Sequence, residues 1–308
     1  MRISRQLSEL KPPSGRACVA IGFFDGVHLG HQQVISQMIA DARSQETAAV
    51  VVTFDAHPNT IVAPERAPRL IYPLEKKLQM IGQLGADATW LIPFNREFSR
   101  KTGEEFIREM IAGLGSIGSL CVGGDFAFGH QRSGNVPLLR RLGRELGFQV
   151  HGLAAIALDG QTVSSTRIRE AVRAGDFDHA GQMLGRAYSL CGPVVRGDGV
   201  GHKLGFPTAN VQVEGLEIPP TGVYAAHLRV GTQTLRAALN IGFRPTLNSP
   251  EPRLQVEAHV LDFNGDLYGQ PVEIVFVKKL REERKFPSLD ALKAQIAADV
   301  SDARKSFR

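Results

Sequence analysis

Residues 22–31 read G-F-F-D-G-V-H-L-G-H. Glycines at 22, 26 and 30 let the chain turn tightly and let its backbone approach a ligand closely. A strand before this run and a helix after it would put unpaired backbone N–H groups and a partial positive charge at its end, which favours a phosphate. His28 and His31 are three apart and share a helix face. Two imidazoles over bound phosphates could stabilise the charge that develops in phosphoryl or nucleotidyl transfer. The same residues would also serve as a turn whose histidines cap a helix. A zinc site is a third reading, but no other ligand has matching spacing. The run is neither a dinucleotide fingerprint nor a P-loop, since G-x-G-x-x-G and G-K-[ST] are missing.

Two further segments have the residue types for phosphate chemistry. Residues 164–169, S-S-T-R-I-R, offer three hydroxyls and two guanidiniums where a helix should begin. That suits a second phosphate site, or plain capping by Ser165 or Thr166 with the arginines in solvent. Residues 197–210, G-D-G-V-G-H-K-L-G-F-P-T-A-N, run from a glycine loop through an F-P turn to Thr208 and Asn210. On a strand those two side chains share a face. A hydroxyl and an amide oxygen are hard ligands that suit Mg²⁺ on nucleotide phosphates. An ordinary polar surface loop would look similar.

The elements that must position these residues differ between the two halves. In the first half, apolar runs at 17–24, 48–54, 88–94, 120–123 and 150–156 read as strands. Helical spacing is seen at 31–43, 75–84, 103–112, 136–146, 166–174 and 177–184, with Thr102 and Glu105 placed as a capping box. Alternation of strand and helix predicts an α/β fold with a parallel sheet covered on both faces. Ligands then sit beyond the carboxyl ends of the strands. Near residue 186 the pattern changes. Strands are predicted at 188–195, 223–230, 234–241, 254–261 and 272–278, separated by Gly, Pro, Asn and Asp turns. A closing helix covers 288–300. Short antiparallel strands at this spacing predict a small β-barrel.

Bulk properties narrow the setting. The 308 residues are 43% apolar and 22% charged, ordinary for a globular protein and long enough for two domains. The net charge of +5 is divided between the halves without a basic stripe, which argues against nucleic acid binding. Arginine outnumbers lysine, as a GC-rich genome alone would give. Cys18, Cys121 and Cys191 lie far apart in apolar runs and are expected to be buried thiols. The N-terminus has no apolar signal region, and no apolar stretch approaches the roughly 20 residues a membrane helix needs. The expectation is a cytoplasmic protein with no membrane partner; its oligomeric state is left open.

Taken together, 22–31 and 164–169 resemble the H-x-G-H and S/T-x-x-R elements of the nucleotidyltransferase superfamily. With T-F-D-A-H-P at 53–58 and G-G-D-F-A-F-G at 123–129, the first half is similar to the FMN adenylyltransferase module of bacterial bifunctional riboflavin kinase/FAD synthetases. The resemblance implies that His28 and His31 are catalytic and contact the ATP phosphates. Gly22, Phe23, Phe24, Asp25 and Gly30 would shape that pocket. Ser164, Ser165, Thr166 and Arg169 would hold the β- and γ-phosphates, and Asp55, His57, Pro58 and Asp125 would line the flavin or nucleotide pocket.

The second half resembles riboflavin kinases through P-T-A-N at 207–210, P-P-T-G-V-Y at 219–224, N-I-G-F-R-P-T at 240–246, V-E-A-H-V-L-D-F-N-G-D-L-Y-G at 256–269 and L-R-E-E-R-K-F at 280–286. This likeness makes Glu257 the catalytic base and Thr208 and Asn210 the Mg²⁺ ligands. Gly197, Gly199, Gly201, Lys203, Gly205, Phe206 and Pro207 would bind ATP. Asn240, Arg244 and Arg281 would lie beside the flavin. His202 stands where arginine is common, and Ala258 where threonine is common. The motifs span about residues 17–300. They imply a Rossmann-like nucleotidyltransferase domain at 1–185 and a riboflavin kinase β-barrel at 186–308. They also imply ATP with Mg²⁺, with riboflavin, FMN, FAD, ADP and pyrophosphate as the small-molecule substrates and products.

Overall fold

The apolar runs of the first half form strands because they are buried on both sides. In a computed structural model describing residues 1–12, 14–197, 199–246 and 249–307, the strands of the first half are β1 (Arg2–Ser4), β2 (Arg16–Ile21), β3 (Ala48–Phe54), β4 (Ala88–Ile92), β5 (Ser116–Gly123), the short β6 (Ala127–Phe128) and β7 (Gly134–Asn135), β8 (Gln149–Leu153), β9 (Ala157–Leu158) and β10 (Gln161–Thr162), of which β2, β3, β4 and β5 are the buried ones. Between them lie α1 (Leu29–Ser44), α2 (Asn59–Val62), α3 (Leu74–Gln83), α4 (Gly103–Leu114) and α5 (Val136–Leu146). The main sheet has the order β1-β4-β3-β2-β5-β8 and every neighbouring pair is parallel. Ala17, Val19 and Ile21 of β2 pack with Phe106, Ile107 and Met110 of α4 and Leu139 and Leu142 of α5. On the opposite face α1 buries Val34, Ile35, Met38 and Ile39, and its Asp41 accepts a hydrogen bond from Ser119 of β5. Two covered faces explain runs that are apolar throughout rather than alternating.

Several local features differ from expectation, among them β5, which starts at Ser116 rather than at 120. The first strand stops at Ile21, not at residue 24, because Phe24 turns into the left-handed region at φ 55°. The following helix starts at Leu29, not at 31, because His28 itself is the cap. The N-terminal M-R-I-S is an unexpected edge strand that pairs with β4. The capping box at Thr102 and Glu105 is present. The three cysteines are buried and form no disulfide among the described residues.

The chain divides into two packed units, Met1–Leu70 with Leu74–Ser165, and Ile71–Pro73 with Thr166–Arg308. The second contains α6 (Ser165–Ala174) from its second residue, α7 (Phe177–Leu184), β11 (Ser189–Val195), α8 (Val200–Lys203), β12 (Ala209–Val211), β13 (Gly222–Val230), β14 (Gln233–Thr246), β15 (Ser249–Val260), β16 (Pro271–Arg281) and α9 (Leu289–Lys305). Six strands close an antiparallel barrel in the order β11-β12-β15-β14-β13-β16. Strand β12 is absent from the sequence-based expectation; it is three residues long, too short for a period to show. Helix α9 packs on β13, β14 and β16, where Ala225, Ala238 and Ala303 allow close approach. Phe177 of α7 stacks on Phe276 at 4.5 Å and on Tyr188 at 5.8 Å, and Tyr72 stacks on Tyr188 at 6.4 Å. Thus α7 and the 71–73 segment share an aromatic core with the barrel.

Candidate active sites

In the parallel sheet the strand order reverses between β2 and β5. The crevice beyond their carboxyl ends is where such sheets bind ligands. Residues 22–31 leave β2 at that point. The turn is built under strain: Phe24, Gly26 and Val27 all have positive φ, at 55°, 79° and 40°. A positive φ is exceptional for a β-branched or bulky residue. The Phe24 ring folds back over Gly22, where a Cβ would lie 2.7 Å from it. Glycine at 22 is therefore required for close approach.

His28 caps α1: its Nδ1 accepts the backbone N–H of His31 at 3.4 Å, and the two rings stack with centroids 3.6 Å apart. An accepting Nδ1 leaves the proton of a neutral His28 on Nε2, the atom that can donate to a phosphate. Burial, followed by the charges of His28 and Lys77, holds His31 well below the usual imidazole range. His31 Nδ1 is buried with no hydrogen-bond partner among the described residues, which leaves it a polar atom that a ligand oxygen could satisfy.

The other residues expected at this site lie on several elements. Ser165 joins the turn directly, its hydroxyl donating to the Asp25 carbonyl at 3.0 Å. Thr166 and Arg169 follow it on α6, and Arg169 is buried. His57 meets the Phe23 ring edge-on at 4.8 Å and Pro58 opens α2 beside it. Asp55 is engaged twice, accepting the Phe94 N–H at 3.0 Å and pairing with Arg5 at 2.8 Å. Asp125 is exposed just past the end of β5. Among the described residues no three of His, Cys, Asp and Glu group as metal ligands.

Sequence reading missed the supports of this site. Lys77 of α3 is buried and donates to the Phe54 carbonyl at 2.8 Å, the Phe23 carbonyl at 3.1 Å and the Thr53 hydroxyl at 3.3 Å. Its signal was present: a lysine on the apolar face of α3 with Leu74, Leu78 and Ile81. Also missed was a run of aromatic contacts near the carboxyl ends of β3, β4 and β5. Phe54 meets Phe94 at 5.4 Å, Phe94 meets Phe98 at 5.6 Å, and Phe126 stacks on Phe128 at 5.1 Å.

In the barrel, strand register assembles the site. Asn210 of β12 lies opposite Glu257 of β15, and Glu257 lies opposite Asn240 of β14. Asn240 lies opposite Val223 of β13, and Val223 opposite Arg281 of β16. Directly opposed residues point to one side, so a single row crosses five strands. Residues expected to hold metal, act as base and meet flavin share that row. Thr208 is two residues before Asn210 and lines two cavities. One is bordered by Glu257, Asn240, Arg281 and the α9 residues Leu292, Ile296 and Val300. The other is bordered by Pro207, Ala258, Phe263 and Tyr268. Glu257 is buried, as is Asp299.

The glycine loop is compact. The Phe206 N–H donates to the Gly201 carbonyl at 2.8 Å. A Cβ at Gly197 would come within 2.2 Å of the Asn210 amide nitrogen, so glycine there leaves that side chain its place. Gly199 and Gly205 have positive φ, 67° and 87°. The side chains of Lys203 and Arg244 lie outside the described ones. Arg281 forms a two-pronged ion pair with Asp299 of α9, at 2.8 and 2.7 Å, so it ties the helix to the barrel mouth. Its Asp299 partner was missed by sequence reading. So was His259, which is two residues from Glu257 on the same face and bonds the Pro207 carbonyl at 2.8 Å.

Comparisons with known proteins divide the chain in the same order. Residues 11–167 match the family model for FAD synthetase, and residues 184–307 match that for riboflavin kinase. The bifunctional riboflavin kinase/FMN adenylyltransferase of Pseudomonas fluorescens is 40% identical over 99% of this chain and 97% of its own. The protein of the same name from Escherichia coli strain K12 is 36% identical over 100% and 98%. The crystal structure of a macrolide-efflux protein from Streptococcus pneumoniae covers 98% of both chains at 27% identity with a TM-score of 0.81.

Proposed function

The chain belongs to the bifunctional riboflavin kinase/FMN adenylyltransferase family, and from that premise we propose which residues carry each of its two reactions. The enzyme phosphorylates riboflavin to FMN and adenylylates FMN to FAD. We assign the first reaction to 186–308 and the second to 1–185. The observation that carries the assignment is the Asn210–Glu257–Asn240 row, which puts a buried carboxylate between two amides in the barrel.

In the barrel, riboflavin occupies the cavity closed by α9, and ATP lies along the 197–207 loop. Glu257 accepts the proton of the 5′-hydroxyl as that oxygen bonds the γ-phosphorus and ADP leaves. Asn210 stands opposite Glu257 and Thr208 lines the same cavity as Glu257, and their neutral oxygens with that carboxylate are a hard donor set that fits Mg²⁺. The metal would offset negative charge on the transferring phosphoryl group. Asn240 orients the flavin, and Arg281, held by Asp299, keeps α9 over it.

In the first unit, an FMN phosphate oxygen attacks the α-phosphorus of ATP and pyrophosphate leaves. The chain needs no covalent intermediate; alignment and charge stabilisation suffice. His28 donates through Nε2, and neutral His31 donates rather than carrying a charge. Together with the N-terminus of α1 and the hydroxyls that open the S-S-T-R-I-R segment, they face the triphosphate. The flavin ring lies against Phe126 and Phe128 near His57 and Pro58, since an aromatic ring system needs aromatic walls. Three buried thiols suit a reducing compartment, which supports a cytoplasmic enzyme. Incubation with riboflavin, ATP and Mg²⁺, followed by separation of the flavins, should show FMN and then FAD. Accumulation of FMN alone, or no turnover, would contradict the assignment of two working sites.

A further inference from the structure

We propose that Lys77 is a positioning residue for adenylyl transfer: from α3 it pins the Phe23 carbonyl and the end of β3, and so holds the strained 22–31 turn in its phosphate-facing form. This rests on the reading of 22–31 as the adenylyl-transfer turn, and adds a residue that lies outside the glycine, histidine and hydroxyl motifs of that unit.

Lys77 is only 4% exposed, which is rare for a lysine. All three of its ammonium donors find acceptors, two of them carbonyls, on two separate segments. The Phe23 carbonyl is anchored twice, since the Thr53 hydroxyl also donates to it at 3.0 Å. The ammonium also lies 4.3 Å from the centre of the Phe23 ring. Phe23 directly precedes Phe24, the first left-handed residue of the turn. Backbone strain persists only where the surroundings over-determine it. Here the over-determination converges on one nitrogen. A methionine would fill the same volume without the cost of burying a charge, so packing does not explain a lysine.

The titratable groups facing this nitrogen are the carboxylates of Asp25 from the turn and Asp55 from the end of β3, and the neutral imidazole of His31 from α1 with His28 stacked on it. Burial lowers Lys77 to about 8, and the two carboxylates partly oppose that fall. Its third donor is therefore lost as pH rises through about 8, and FAD formation should decline there.

The test uses the full chain with Lys77→Met, Lys77→Arg and His28→Ala. FAD formation is measured from supplied FMN and ATP. FMN formation from riboflavin by the same preparations reports an intact barrel. Thermal unfolding reports the first unit. Lys77→Met should lower kcat for FAD formation by roughly 10- to 100-fold, as a misplacement of about 1 Å does. It should change KM for ATP far less. The wild type should show an alkaline limb near pH 8 in FAD formation, absent from FMN formation. Lys77→Arg, which stays charged, should restore part of the rate and shift that limb upward. The proposal is overturned by a Lys77→Met variant that keeps more than half its kcat, by an effect on KM alone, or by an unchanged limb in Lys77→Arg. If Lys77→Met or Lys77→Arg unfolds the first unit, the wild-type profile decides, and a missing limb overturns the proposal. If His28→Ala leaves FAD formation intact, the reading of the turn itself fails. A damaging His28→Ala with a silent Lys77→Met sinks only the Lys77 proposal.

Discussion

The two candidate sites reach the same kind of chemistry by different construction. The barrel uses register: Asn210, Glu257 and Asn240 align because three strands pair at those positions, and the backbone ladder that fixes them is the fold itself. The parallel-sheet unit uses a strained turn. Phe24 and Val27 sit at positive φ, and the conformation depends on groups reaching in from α3 and β3. A ladder tolerates the loss of one side chain, since its geometry comes from many bonds. A turn held by a few side chains, here Lys77 and Thr53 on the Phe23 carbonyl, does not. Damage at a distance should therefore harm FAD formation more than FMN formation.

The largest expected effects separate the two sites outright. His28→Ala should lower FAD formation by roughly 10²–10³-fold, as loss of one oxyanion donor does. Glu257→Ala should lower FMN formation by about 10²-fold or more, in the range of a general base. Equal loss of both activities in either variant would erase the distinction. A middle-sized effect is expected at the support of the barrel mouth. Asp299→Asn breaks the two-pronged pair with Arg281. It should cost about 1.5–3 kcal/mol in the barrel's unfolding free energy and raise KM for riboflavin, measured by denaturant titration and FMN kinetics.

A smaller effect concerns the boundary. A fragment that starts at 186 lacks Phe177, whose ring stacks on Phe276 and Tyr188. Each such pair is worth about 0.5–1.5 kcal/mol beyond buried area. A fragment from 166 should therefore melt at a higher temperature than one from 186, and calorimetry of the two checks this. The smallest effect is the pH dependence of the first unit's stability. Lys77 falls from 10.5 when unfolded to about 8 when folded. The folded state thus binds fewer protons between these values, and stability should rise with pH across that window. FAD formation should fall over the same range. Opposite slopes would sharpen the comparison. Parallel slopes would mean that the loss of activity is unfolding.

What was legible in the sequence follows the same division. Spacing offers Thr208 and Asn210 as a pair only if a strand runs through both, and the strand itself begins at Ala209. Continuous apolar runs declare the parallel sheet, and the change near 186 declares the barrel. Spacing cannot link Glu257 to Asn210, since they are far apart in sequence and meet only through β12–β15 register. Only the family resemblance reaches it. Arg5 and Asp299 are not legible as supports, and Lys77 shows only its place on the apolar face of α3, not the carbonyls it holds. Each acts across a contact between distant elements, and a lone charge on an amphipathic helix usually marks the solvent side. The end of the first strand is misplaced by pattern because Phe23 and Phe24 look like strand residues. Phe24 instead adopts a conformation that its side chain disfavours, and the surroundings impose it.

The central claim is that one chain holds two separable reaction sites. It is tested most directly by crossing two variants with two substrates. Given riboflavin, ATP and Mg²⁺, His28→Ala should accumulate FMN and form little FAD. Given the same mixture, Glu257→Ala should form neither, yet convert supplied FMN to FAD at close to the wild-type rate. If folded Glu257→Ala fails with supplied FMN, or folded His28→Ala makes FAD as fast as the wild type, the two-site account is wrong.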